Sequence, residues 1–196
     1  AGHSIGEWNA MIAAGLVPAD AIDGLIARVD LDAIEVPDLV FVALGCGAEQ
    51  ALAAIEGLDG IALSHDNCPH QSVLCGTEAA VAQALARLRE QRVLGQVLPF
   101  RSGFHSPLLE PYLAPVRRDV ERTPLAAPTV PVWSATTVAP YPDDQDEVRN
   151  LLIRHLVEPV RFRPLLERLY DEGVRVFVQV GMGSLTGFLD DTLKDR

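Results

Sequence analysis

Ser4 stands between Gly2 and Gly6 in "GHSIG", with His3 beside it and Glu7 close behind. This is the G-x-S-x-G spacing, in which a strand turns sharply into a helix and lifts the serine hydroxyl into a cleft where it can attack a carbonyl. Glycines suit such a turn because it is strained and neighbouring backbone passes too close for a Cβ. Taken alone, the pattern equally describes a glycine-flanked turn with a solvated serine, and no strand precedes it. A serine hydroxyl is a weak nucleophile until a base takes its proton, so the reading needs a histidine.

The chain has five. His3 sits inside the turn and is expected to orient it. His65 and His70 flank a hairpin as polar loop residues, and His155 lies within a helical pattern. His105 differs, because "FRSGFHSPLLEP" sets it in a glycine-containing loop between a strand and a helix start, with Ser106 as N-cap and Pro107 at the first helical position. Loops held by rigid elements are where catalytic groups usually sit.

The elements around these residues follow from periodicity. Trp8, Met11, Ile12 and Leu16 recur at helical spacing after Ser4, and "PADAIDGLIARV" reads as a second helix ending near Arg28. From Leu39 the order is strand "LVFVALGCG", helix "AEQALAAIEG", strands "IALSHDN" and "QSVLCG", helix "TEAAVAQALARLREQ" and strand "GQVLPF". That β-α-β-β-α-β order is the ferredoxin-like split unit. Further on come an amphipathic helix "SPLLEPYLAPVRRDVERT", a strand "VPVWSAT", a surface loop "VAPYPDDQDE", helices "DEVRNLLIRHLVEPVRF" and "RPLLERLYDEG", and a strand "VRVFVQVG" closed by a glycine turn. The fold class expected is α/β, a parallel-sheet body of residues 1–37 and 101–196 carrying a ferredoxin-like subdomain of residues 38–100.

Composition bounds the function. A chain of 196 residues with 48% hydrophobic and 22% charged residues can bury a sizeable core. A net charge of −11, with sixteen scattered Lys and Arg, argues against nucleic acid or an anionic membrane as partner. Cys46, Cys68 and Cys75 show neither metal nor disulfide spacing, no metal site is expected, and the cytoplasm is the expected compartment. Neither a signal peptide nor a membrane-spanning segment is expected.

Six strings in order, "GHSIGEW", "DNCPHQSVLCG", "SGFHSPLLEP", "VPVWSA", "LIRHLVEPVRF" and "VQVGMGSLTG", carry a resemblance over nearly the whole chain. The chain resembles the acyltransferase domains of type I polyketide synthases and the malonyl-CoA:acyl-carrier-protein transacylases. More loosely, "SHDNCPHQS" with "LGCG" is similar to the iterative enediyne and polyunsaturated-fatty-acid type. The family fold is an α/β-hydrolase-like body with a ferredoxin-like subdomain.

The resemblance implies a division of labour. Ser4 would be the acylated nucleophile and His105 its general base, held by the backbone carbonyl of His155, where the family usually has glutamine or asparagine. The Ile5 N–H would be one oxyanion donor. The second comes in the family from a glutamine-containing loop ahead of the elbow, so the chain reads as the C-terminal part of a larger domain. Arg28 falls at the family's carboxylate-binding arginine, with one gap in "AAGLVPADA", and its guanidinium suits a malonyl carboxylate, although a helix-end arginine favoured by the dipole reads the same. Phe104 matches the malonyl-type pattern, and Asn67 and Gln71 match polar positions near the cleft, where hairpin bonding is equally open. Malonyl-CoA is the implied substrate, no bound cofactor is expected, and the phosphopantetheine of an acyl carrier protein is the acceptor, alongside other domains of a synthase. Two rivals remain: a serine hydrolase or thioesterase, and an inactive fragment that docks carrier protein.

Overall fold

The computed structural model describes residues 1–28, 36–99 and 101–196. Helix α1 (Ile5–Ala13) follows Ser4 directly, and α2 (Ile22–Arg28) follows a short 3₁₀ turn. Next come β1 (Leu39–Leu44), α3 (Ala48–Ile55), β2 (Ile61–Cys68), β3 (Gln71–Thr77), α4 (Glu78–Glu90) and β4 (Gly95–Leu98). The strands pair antiparallel in the order β4-β1-β3-β2, which is the ferredoxin-like arrangement expected.

Both faces of this sheet are covered, which explains why β1 reads as an unbroken apolar run. Val40, Val42 and Leu44 pack with Leu74 of β3 against α3 and α4, whereas Leu39 and Phe41 join Val73 and Cys75 in the core shared with α1. Alternate residues thus belong to different cores, as a period of two requires. The start of α4 is fixed by Thr77, whose hydroxyl accepts the Ala80 N–H at 3.3 Å.

The rest of the chain holds α5 (Ala114–Arg122), a two-residue ladder of β5 (Trp133–Ser134) with β6 (Ala139–Pro140), α6 (Gln145–Val157), β7 (Val160–Arg161), α7 (Phe162–Asp171) and α8 (Leu185–Leu193). The single helix expected over residues 106–123 divides into a 3₁₀ turn at Pro107–Tyr112 and α5. Proline is the reason: Pro111 has no N–H to donate and its ring crowds the preceding turn, while Pro115 is tolerated only in the first turn of the restarted helix. α6 starts cleanly because Asp144 accepts the N–H groups of Asp146 and Glu147, both at 2.9 Å.

Parallel pairing is sparser than the expected parallel body. Among the described residues it is confined to His65↔Val160 and Asp66↔Arg161, where β7 adds to β2 as a fifth strand. The segment read as a closing strand, Val174–Val180, takes no ladder here, and Val176, Val178 and Val180 are all exposed. Alternating apolar residues mark what a segment can do in a sheet; a strand forms only where a neighbour receives its backbone groups. "VAPYPDDQDE" is likewise not all surface loop, since Tyr141 is buried. Among the described residues no helix is long and apolar enough to cross a membrane.

Candidate active site

The turn before α1 puts Ser4 at φ 53° and ψ −127°, a conformation costly for any residue with a Cβ. Local bonds close it: the Gly6 N–H reaches His3 O at 2.9 Å and the Glu7 N–H reaches Ser4 O at 2.8 Å. Gly2 is required by close approach, because a Cβ there would lie 2.1 Å from the Gly6 carbonyl carbon. Gly6 faces no such constraint, as a Cβ there would meet nothing within 4 Å.

His105 comes to this turn from the loop after β4. It too has a positive φ of 59°, follows Gly103 at φ +73°, and is buried. The end of α6 grips it twice, with the His105 N–H on Leu156 O at 2.7 Å and the ring Nδ1 on His155 O at 2.8 Å. A carbonyl can only accept, so Nδ1 carries the proton and Nε2 presents a lone pair. That nitrogen lies 2.7 Å from Ser4 Oγ. The pair is therefore set for the serine hydroxyl to donate to a neutral imidazole. Burial, then the neighbouring imidazoles of His65 and His155, hold the His105 pKa well below the usual histidine range.

Four histidines meet here. The His65 ring stacks on His3 at 5.3 Å between centroids and sets its edge against His105 at 5.0 Å, and His155 lies 5.1 Å from His105. His65 belongs to β2 rather than to a loop, and burial takes its pKa down to about 3. Ser64 donates to the Phe104 carbonyl at 3.2 Å, and its oxygen lies 2.9 Å from His65 Nδ1. His70, in contrast, stands at the β2–β3 turn on the surface, paired with Asp191 of α8 at 2.8 Å.

Phe104, Ile5 and Trp8 join Ser4, His105, His155 and Leu156 around a cavity of about 190 Å³. The Ile5 N–H is one of the first-turn amides that α1 cannot satisfy from within. Asn67 is buried with both ends of its amide engaged, accepting from His3 Nε2 at 2.7 Å and donating to Gln71 Oε1 at 2.7 Å. The side chain of Arg28 lies outside the described residues. A larger apolar cavity, about 260 Å³, lies between α7, α8 and the segment from Val174, and none of its lining side chains is a histidine, cysteine, acid or base. Among the described residues no cluster of His, Cys, Asp or Glu is placed to hold a metal ion.

A buried group that the spacing gave no reason to single out lies beneath the site. Glu7, fully enclosed, accepts the Tyr141 hydroxyl at 2.7 Å and the Ala135 N–H at 2.9 Å, tying α1 to the β5–β6 region. Burial and Glu7 together push the Tyr141 phenol far above its ordinary pKa, so it remains a donor. Tyr141→Phe leaves one Glu7 oxygen without its donor and is expected to cost about 1–3 kcal/mol, read as a lower urea midpoint at unchanged slope.

Comparison with known proteins identifies the family of the chain. The family model described as "Acyl transferase domain" matches residues 1–195. A malonyl CoA-acyl carrier protein transacylase of Bacillus subtilis is 29% identical, covering 94% of this chain and 61% of the relative. The acyltransferase domain from the second module of the salinomycin polyketide synthase is 32% identical with a TM-score of 0.86, over 99% of this chain and 46% of that one. The acyltransferase domain of an iterative polyketide synthase in enediyne biosynthesis is 30% identical with a TM-score of 0.76, over 85% of this chain and 44% of that one. The chain thus spans less than two thirds of each of these relatives. It belongs to the acyl transferase domain family.

Proposed function

We propose that this chain transfers a malonyl group from coenzyme A to the phosphopantetheine thiol of an acyl carrier protein, through an ester on Ser4, within polyketide or fatty-acid synthesis. The observation that carries the reading is the Ser4 Oγ to His105 Nε2 distance of 2.7 Å, with the other ring nitrogen held by a carbonyl. In the first half-reaction His105 takes the Ser4 proton as Oγ attacks the thioester carbonyl, the Ile5 N–H faces the developing oxyanion, and the CoA thiolate leaves with that proton. In the second, the carrier thiol gives its proton to His105, attacks the ester, and Ser4 leaves protonated. No metal or bound cofactor enters either step.

The partner of His105 is a neutral carbonyl, which separates this site from a hydrolase triad with a carboxylate in that place. Arg28 is assigned by its sequence position to the malonyl carboxylate, and Asn67, through its bond to His3, to holding the elbow. Three buried free cysteines suit a reducing compartment, the cytoplasm.

Intact mass spectrometry of the full chain mixed with malonyl-CoA tests the proposal. A malonyl adduct that maps to Ser4, persists in water and is discharged by carrier-protein thiol is expected. Rapid loss to water would indicate a hydrolase, and no adduct on folded protein a docking module. Phe104 lines the cavity beside the dyad and is proposed to crowd an α-methyl group. Phe104→Ser is expected to shift competition toward methylmalonyl-CoA by about 10-fold or more, within the range that one methyl group can discriminate.

A further inference from the structure

We propose, resting on the acyltransferase reading, that the His155 imidazole is a positioning residue that sets the direction of the Ser4–Ile5 peptide, in addition to the carbonyl by which residue 155 holds His105. The ring is buried and has a partner at each nitrogen. Nε2 lies 3.2 Å from the Ser4 carbonyl oxygen, and Nδ1 lies 3.2 Å from Thr136 Oγ1 and 3.6 Å from Glu7 Oε2. Because the Ser4 carbonyl can only accept, Nε2 carries the hydrogen, which leaves Nδ1 to accept from the Thr136 hydroxyl.

A planar trans peptide fixes the consequence. The Ser4 C=O and the Ile5 N–H belong to one rigid unit and point in opposite directions, so a bond that aims the carbonyl also aims the amide. That amide is the oxyanion donor of the proposed mechanism, and its neighbour Ser4 has strained backbone angles that it would leave if released. The Glu7 N–H also bonds this carbonyl, but from within the same turn, and it moves with the turn. His155 bonds it from α6, the element whose Leu156 and His155 carbonyls hold the base. One helix end thereby references the nucleophile, the oxyanion donor and the base to each other.

The inference predicts that the side chain at position 155 matters through its N–H donor. His155→Gln and His155→Met introduce unbranched side chains of similar length, of which only glutamine offers an N–H. Acylation by malonyl-CoA and discharge to carrier thiol are measured separately in the full chain, with KM and melting temperature. His155→Met is expected to slow both half-reactions by at least tenfold at little-changed KM, because both pass through the oxyanion, and His155→Gln to recover most of the loss. If the methionine variant does not fold, Thr136→Val gives the second reading: it keeps the ring but removes the hydroxyl that reserves Nδ1 as acceptor, and it is expected to slow both steps together. A wild-type chain that takes no acyl group sinks the acyltransferase reading itself. A wild type that is acylated, with the methionine or valine variant equally fast, overturns only the brace.

Discussion

His105→Ala is expected to slow acylation of Ser4 by malonyl-CoA by about 10²–10⁴-fold at neutral pH, the span a positioned general base commonly supplies. The substitution leaves the Ser4 hydroxyl without the nitrogen 2.7 Å away that is proposed to receive its proton, while the Ile5 amide and the rest of the cavity lining stay in place. Residual acylation should therefore remain measurable, whereas Ser4→Ala should take no adduct at all. The wild-type rate should also hold steady as pH falls through 6.5. An exposed histidine would be half protonated there, but burial and the adjoining His65 and His155 rings keep His105 neutral, which is its base form. Adduct formation followed by rapid quenching and mass spectrometry, from pH 5.5 to 8, measures both effects. A His105→Ala rate within a few-fold of wild type would remove the residue from the proposed chemistry.

The sequence made the dyad legible because two local patterns, an elbow and a loop before a proline-started helix, each demanded a special backbone. Positive φ at Ser4 and His105 is what those patterns encode. The ferredoxin-like order was legible for a similar reason, since each of its strands and helices repeats its own period and α4 announces its start with Thr77. What stayed hidden was long-range polar pairing. Glu7 meets Tyr141 and Ala135 more than a hundred residues away, with no spacing rule linking them, and the proline-rich stretch around Tyr141 resembles loop. His65 looked like a hairpin residue because its polar neighbours Ser64, Asp66 and Asn67 resemble a turn. Three of those residues are buried, and each has a partner in another element: Phe104 for Ser64, Arg163 for Asp66 and His3 for Asn67. Alternation likewise marked Val174–Val180 as strand material without revealing what would flank it.

The same cluster of rings should make the protein acid-labile above the range in which carboxylates protonate. Burial lowers the pKa of His3, His65, His105 and His155, so below pH 6.5 the unfolded chain binds protons that the folded chain refuses. Stability then falls as pH falls, starting at the unfolded value near 6.5 and continuing toward the depressed folded values. For His65, with a folded value of about 3, the loss by pH 5 is about 2 kcal/mol, and His105, held well below the usual histidine range, adds to it in the same direction. Against a typical total of about 5–15 kcal/mol, this is a large fraction. Two other effects must be kept apart from it. Asp191, lowered to about 2, contributes stability that is lost only below about pH 4, outside this window. The net charge of −11 shrinks on acidification and relieves self-repulsion, which acts in the opposite direction but is screened over about 8 Å at 0.15 M salt. Urea unfolding at 0.15 M salt should therefore show a midpoint clearly lower at pH 5 than at pH 7.5, with His65→Asn reducing the difference by about one proton's worth. Equal midpoints at the two pH values would mean that the imidazoles protonate in place, and the neutral-base account of His105 would fall with that result.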